Sequence, residues 1–281
     1  PKQHTKPHPP NNSPWQLVSY SPDNKYGTYL GNGFISTRIM GDGVGSQDGR
    51  PLPCYMAGLY EDEKLIPTPT WSDLRFYDGK QRFKIDINAP YRQVLNMKTG
   101  ILTTYAVWRA GARTLDGKID VIVSRSVPNA GLIRAEFVPN FDGMLRVSAP
   151  ISMPKDSAGK STKSRVVIYK TIVPFSAQKS GVHAKRGDRL VISAWASVSA
   201  PSDQLSADSN AAPVHNPAKF ISDHKAAWAK LWERDIIIDG PPKDQQAIHS
   251  CMFYLLQSVR DGSQWSIPPM GLSANSFSGH V

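Results

Sequence analysis

The chain has only two cysteines in 281 residues. Cys54 and Cys251 stand far apart in apolar settings. Two buried thiols are expected rather than a disulfide, and two cysteines cannot build a structural zinc site. Long apolar runs are also missing. No stretch reaches the ~18 apolar residues of a membrane-spanning helix, so no membrane partner is expected. No signal pattern opens the chain. It begins with Pro1 rather than Met and reads as a processed or trimmed product. Acidic residues are the minority sign: 33 Lys and Arg against 23 Asp and Glu give +10. The basic residues are scattered, and no recognition helix or RNA-binding sheet motif gathers them. The excess is read as a solvated surface, and nucleic acid is not an expected partner.

What is present points to a core and to many turns. Apolar residues make up 40% and charged residues 20%, which excludes wholesale disorder. The 21 Gly and 23 Pro favour short elements over a helical bundle. Residues 1–14 are rich in Pro, His, Asn and Lys and read as a flexible lead-in. From Trp15 to about Ala200 the pattern is β. Ile101–Trp108 alternates and is rich in β-formers. Ile119–Val123 follows an expected turn at Asp116-Gly117. Leu132–Val138, Leu145–Ile151, Val166–Val173 and Leu190–Val198 continue the series. Strands so spaced and broken by Gly, Asn and Asp predict a mainly β fold of packed antiparallel sheets.

The pattern then changes. Asn216-Pro217 is a helix cap and first helical residue, followed by Phe220, Ile221, His224, Trp228, Leu231 and Trp232 at helical spacing. A short strand is expected at Ile236-Ile237-Ile238. A second helix starts near Lys243 or Asp244, with Ala247, Ile248, Cys251, Met252, Leu255, Leu256 and Val259 on a wide apolar face. Such a face needs helical neighbours, and the residues after it read as loop. A helical domain begins here and does not finish.

Several short motifs carry less than they suggest. Ala158-Gly159-Lys160-Ser161-Thr162 has Pro154 where a phosphate-binding loop needs Gly. Gly41-Asp42-Gly43-Val44-Gly45 is misspaced for a dinucleotide fingerprint and reads as a hairpin. Arg186-Gly187-Asp188 reads as a tight turn before a strand. Asn11-Asn12-Ser13 is a glycosylation sequon by pattern only. His224 and His249 are read as packed core histidines, and Glu61, Asp62 and Glu63 as a solvated loop. Trp15, Trp71, Trp108 and Trp265 sit near turns or strand ends, where a ring can stack on a sugar, although each is first a core residue. No carboxylate pair can be placed by spacing at the ~5–9.5 Å that glycoside cleavage requires.

The block Ser266-Ile267-Pro268-Pro269-Met270-Gly271-Leu272-Ser273, with Gly279-His280-Val281 after it, resembles the opening of the catalytic barrel in glycoside hydrolase family 65. Tyr29-Leu30-Gly31-Asn32-Gly33-Phe34 resembles the opening strand of that family. Ala57-Gly58-Leu59-Tyr60, Pro69–Leu74 and Tyr91–Gly100 resemble its next blocks, with Asn96 where Asp is usual. His224, Trp228 and Trp232 are similar to its linker helix, and Asp244–Val259 to its first barrel helix.

The resemblance implies an antiparallel β-super-sandwich over 15–212, a helical linker over 213–242 and the start of an (α/α)6 barrel over 243–281. It implies inverting attack on an α-glucosidic bond, with a barrel glutamic acid protonating the leaving oxygen. Water activated by a second carboxylate attacks in the hydrolases, and inorganic phosphate attacks in the phosphorylases. The Ser266–Leu272 block looks closer to the kojibiose hydrolases, so hydrolysis of a gluco-disaccharide such as kojibiose or trehalose is the expected activity. A disaccharide phosphorylase and a non-catalytic carbohydrate-binding or assembly sandwich are the alternatives. His280 carries over as a substrate-binding wall residue and Phe277 as its neighbour; no catalytic residue and no metal or other cofactor is expected on this chain. The expected partners are an α-glucoside or disaccharide and a companion polypeptide carrying the rest of the barrel, and a homodimer is among the expected assemblies. The expected compartment is periplasmic or extracellular, with the cytoplasm as the alternative.

Overall fold

The computed structural model describes residues 13–23, 25–61, 63–154, 166–174, 176–199 and 216–274. Strand β1 (Gln16–Ser19) leads to the hairpin β2 (Thr28–Gly31) and β3 (Ser36–Ile39). Two miniature hairpins follow, β4 (Ser46–Gln47) with β5 (Arg50–Pro51), then β6 (Tyr60–Glu61) with β7 (Lys64–Leu65). Next come β8 (Arg75–Asp78), β9 (Gln81–Arg82), β10 (Lys84–Ile85), β11 (Arg92–Asn96), β12 (Ile101–Ala110), β13 (Arg113–Val123) and β14 (Ala130–Pro139). The β region closes with β15 (Gly143–Ser148), β16 (Val167–Val173), the one-turn helix α1 (Ser176–Lys179), β17 (Val182–Ala184) and β18 (Leu190–Ser199). Helices α2 (Pro217–Trp232) and α3 (Pro242–Ser258) follow.

The fold is mainly β, as expected, and its sheets are antiparallel. The large sheet runs β1-β11-β12-β13-β14-β18-β16, with β10 beside β12, and a four-stranded sheet runs β17-β15-β8-β9. The alternation in β12 decides which face is inside: Leu102, Ala106, Trp108 and Ala110 are buried while Tyr105 is exposed. Phe76 of the small sheet meets Phe137 of the large one edge to face at 5.0 Å, so the two sheets share one core.

The outer face of the large sheet is covered in part by α2. Ile101, Ile122, Leu132 and Trp195 lie opposite one another across four strands. Phe220 stands on that row, 4.8 Å from the Trp195 ring. Phe220, His224, Trp228 and Trp232, four residues apart, are the buried stripe of α2. Its start is the expected one: the Asn216 side chain accepts from Lys219 N–H at 2.9 Å, and Pro217 follows.

Four expectations are corrected. Asp116 and Gly117 form no turn; they lie inside β13, opposite Val107 and Ala106. The turn comes earlier, at Gly111. Gly117 is there for close approach, since a Cβ would lie 2.0 Å from the Glu136 carbonyl oxygen. Ile236-Ile237-Ile238 is no strand. Its backbone is paired instead by the side chain of Gln245, which accepts from Ile238 N–H at 2.9 Å and donates to Ile236 O at 2.8 Å. Cys54 is buried, but Cys251 is exposed on α3. The face of α3 is also turned from the one expected. Its buried stripe is His249, Phe253 and Gln257, while Ala247, Cys251 and Leu255 face outward. The apolar residues of α3 cover two faces, and only one of them meets the sandwich. The Ala158–Thr162 stretch and Asn11-Asn12 lie outside the described residues.

Candidate functional site

Phe277 and His280 lie outside the described residues. The structure does show what holds the segment that leads to them. Leu272 is buried, and its carbonyl accepts from the Ser36 hydroxyl at 2.7 Å. The Arg38 guanidinium donates to Ser273 O at 2.7 Å. Both donors belong to β3, so the sandwich fixes residues 272–273 directly. Further back, the Trp265 indole lies against Gly58 and remains about half exposed. Trp71 and Trp108 are core residues, 1% and 3% exposed, and Trp15 stacks on His249 at 3.6 Å.

The turn after β2 is the centre of this junction. Asn32 is fully buried and uses its whole amide. Its Oδ1 accepts from Phe34 N–H and Ile35 N–H, both at 2.9 Å, and its Nδ2 donates to Ser124 O at 2.5 Å and Pro128 O at 2.7 Å. Gly33 follows with φ +80°, and a Cβ there would lie 2.4 Å from the Val259 carbonyl carbon. Only glycine meets both demands.

Two side chains that the sequence reading did not single out bind this turn to α3. Gln257 Oε1 accepts from Gly31 N–H at 2.8 Å. Arg125 Nη1 donates to Asn32 O, Leu256 O and Val259 O at 3.0, 2.9 and 2.7 Å. The guanidinium therefore satisfies carbonyls at the end of α3 that have no partner within the helix. Its carbon lies 5.9 Å from the Trp228 ring centroid. Burial, and then the nearby Arg260, pull the Arg125 pKa down to about 10. His224 is a packed core histidine, as expected: its Nδ1 accepts from Arg125 N–H at 3.0 Å. Burial lowers its pKa to about 4, so it is neutral. His249 is held by Pro14 O at 2.8 Å and Asp235 at 3.1 Å. A polar residue recurring at 249 and 257 on one helical stripe is the one signal that could have marked Gln257.

The sequence blocks that carry the family resemblance meet here. Residues 29–34 lie on α3, and residues 57–60 touch Trp265. Trp71 Nε1 donates to Ser36 O at 3.2 Å. Trp232 Nε1 donates to Met97 O at 3.0 Å. Among the described residues, no group of three or more His, Cys, Asp or Glu is placed to hold a metal ion. The buried carboxylates are occupied: Asp73 faces Arg75 at 2.5 Å, and Asp120 faces Lys118 at 3.1 Å.

The antiparallel sandwich is followed by two docked helices and a segment held at residues 272–273 by Ser36 and Arg38. Residues 27–187 match the family described as glycosyl hydrolase family 65, N-terminal domain. The match covers more than half of the chain, which therefore belongs to glycoside hydrolase family 65. A kojibiose hydrolase of Mucilaginibacter mallensis is 44% identical over 62 residues, 22% of this chain and 9% of that protein. A kojibiose phosphorylase of Halothermothrix orenii is 38% identical over 65 residues, 22% of this chain and 8% of that protein. A solved structure titled "Putative kojibiose phosphorylase from human microbiome" superposes with a TM-score of 0.77 and 14% identity, over 96% of this chain and 45% of that chain. That likeness shows the fold. The chain thus spans less than half the length of its solved neighbour.

Proposed function

We propose that this chain is the N-terminal portion of an inverting α-glucoside hydrolase acting on a gluco-disaccharide such as kojibiose or trehalose. Residues 15–212 form the sandwich domain, 213–242 the linker and 243–281 the start of the catalytic barrel. The observation that carries the reading is the double pin on residues 272–273 by Ser36 and Arg38. It holds residues 272–273, which supports the reading that Phe277 and His280 after them line the substrate site. Hydrolysis is favoured by the match to two kojibiose hydrolases, at 44% and 34% identity.

The catalytic acid and base are supplied by the rest of the barrel, which also covers the outward side of α3, where Leu255 is 69% exposed. The acid would protonate the glycosidic oxygen, and the base would activate water on the opposite face of the ring. The second reading, a phosphorylase, is favoured by the Halothermothrix relative. The discriminating experiment incubates the complete protein with kojibiose, trehalose, maltose and nigerose, with and without inorganic phosphate. Cleavage without phosphate supports the hydrolase; strict dependence on phosphate overturns it in favour of the phosphorylase.

A further inference from the structure

The large sheet ends on an open strand. β16 is last in the strand order and pairs on one side alone, with β18, from Val167↔Ser199 to Val173↔Ser193. Among the described residues, no hydrogen bond closes its other side. An uncovered edge seven residues long is a template for one more strand. Its outward side chains are large and apolar: Val167 is 47% exposed and Tyr169 55%. The opposite edge differs. There β1 is only four residues long, and Gln16 O accepts from the Gln246 side chain of α3 at 2.6 Å.

The sequence of β16 says which strand fits. It reads Val167-Ile168-Tyr169-Lys170-Thr171-Ile172-Val173, nearly the same in both directions. A two-fold interface sets residue i against j and j against i, so the patch must complement itself. Antiparallel pairing of β16 with a second β16 about Lys170 meets that demand. Val167 then faces Val173 of the copy, Ile168 faces Ile172, and Tyr169 faces Thr171, each pair occurring twice. Such β-branched and aromatic cross-strand pairs stabilise neighbouring strands. Lys170 alone would meet its own copy. Its ammonium is anchored within its own protomer, where Nζ donates to Asp73 O at 2.7 Å. Pairing over seven residues a side adds about six to eight backbone hydrogen bonds.

We propose that the protein forms a two-fold dimer in which the β16 edges of two copies pair antiparallel about Lys170 and join their large sheets into one. The Val167 and Tyr169 side chains that one copy exposes are set beside Val173 and Thr171 of the other.

The test begins with sedimentation equilibrium of the complete protein at micromolar concentration. The expected result is a dimer. Tyr169→Lys, which sets a charge on the exposed side of the edge, should raise its dissociation constant at least about tenfold with an unchanged circular dichroism spectrum. Disulfide trapping reads the register, in a Cys251→Ser background because Cys251 is exposed. Opposite Cα atoms of an antiparallel pair lie about 4.5–5.5 Å apart, a span that a disulfide bridges. Val167→Cys and Val173→Cys chains, mixed and oxidised, should therefore trap the mixed dimer. Neither chain should do so alone, because the two copies of residue 167 would stand about 20 Å apart. A monomer, a dimer that Tyr169→Lys leaves intact, a mixture that is not trapped, or trapping by one chain alone overturns the proposal.

Discussion

Replacing Arg125 by Met removes the cation that joins the sandwich to the end of α3. Three donor contacts are lost, to Asn32 O, Leu256 O and Val259 O. A hydrogen bond to a charged group contributes about 1.5–3 kcal/mol, so the gross loss is about 5–9 kcal/mol. Against this stands the cost of burying the charge. The Arg125 pKa falls from 12.5 to about 10, which corresponds to about 3 kcal/mol relieved by the substitution. The net destabilisation is then about 2–6 kcal/mol. Arg125→Lys keeps the charge but lacks the planar fork, and its loss should be smaller. Urea unfolding followed by tryptophan fluorescence measures the first quantity, and amide exchange in α3 measures where the effect falls. A loss under about 1 kcal/mol, or α3 amides that exchange no faster than in the parent protein, would refute the reasoning.

Gly33→Ala should destabilise by at least about 2 kcal/mol, because φ is +80° and the new Cβ meets Val259; a thermal melt within a degree of the parent would contradict this. Folded His224 takes its proton only near pH 4, below its ordinary 6.5, so the unfolded state binds the extra proton between those values. Stability should therefore fall as pH drops through that window, by up to about 3 kcal/mol. Asp42, raised to about 7 by burial, acts in the opposite sense over part of the same range. The readout is thus the difference between the parent and His224→Gln across pH 7 to 4, and a difference that does not change with pH removes His224 as its source. Residues 1–281 expressed alone should turn over no α-glucoside; a soluble monomer that hydrolyses kojibiose contradicts the division of labour. In the complete protein, His280→Ala should lower turnover and leave the fold intact, and unchanged kinetics would take His280 out of the site.

The strands of the large sheet were legible because they obey a local rule: Ile101–Trp108 alternates, and alternation sets which face is buried. The start of α2 was legible for the same reason, since Asn216 and Pro217 act within one turn. The misreadings came where local and distant demands differ. Gly117 has the look of a turn residue, yet it is required by the neighbouring Glu136 backbone. The α3 face was misjudged because its apolar residues outnumber the positions the sandwich covers, while His249 and Gln257 take covered positions by finding partners elsewhere in the chain. Arg125 was out of reach of any sequence pattern. Its acceptors are as far as 134 residues away, and a lone Arg after a strand carries no signal of what will close over it.

The most direct test of the account follows kojibiose cleavage by the complete protein with proton NMR, in buffer free of phosphate, before the released glucose mutarotates. The account predicts β-glucose as the first new anomer from the cleaved α-linked residue, appearing at full rate without phosphate. Release of α-glucose first, or no cleavage until phosphate is added, would contradict it.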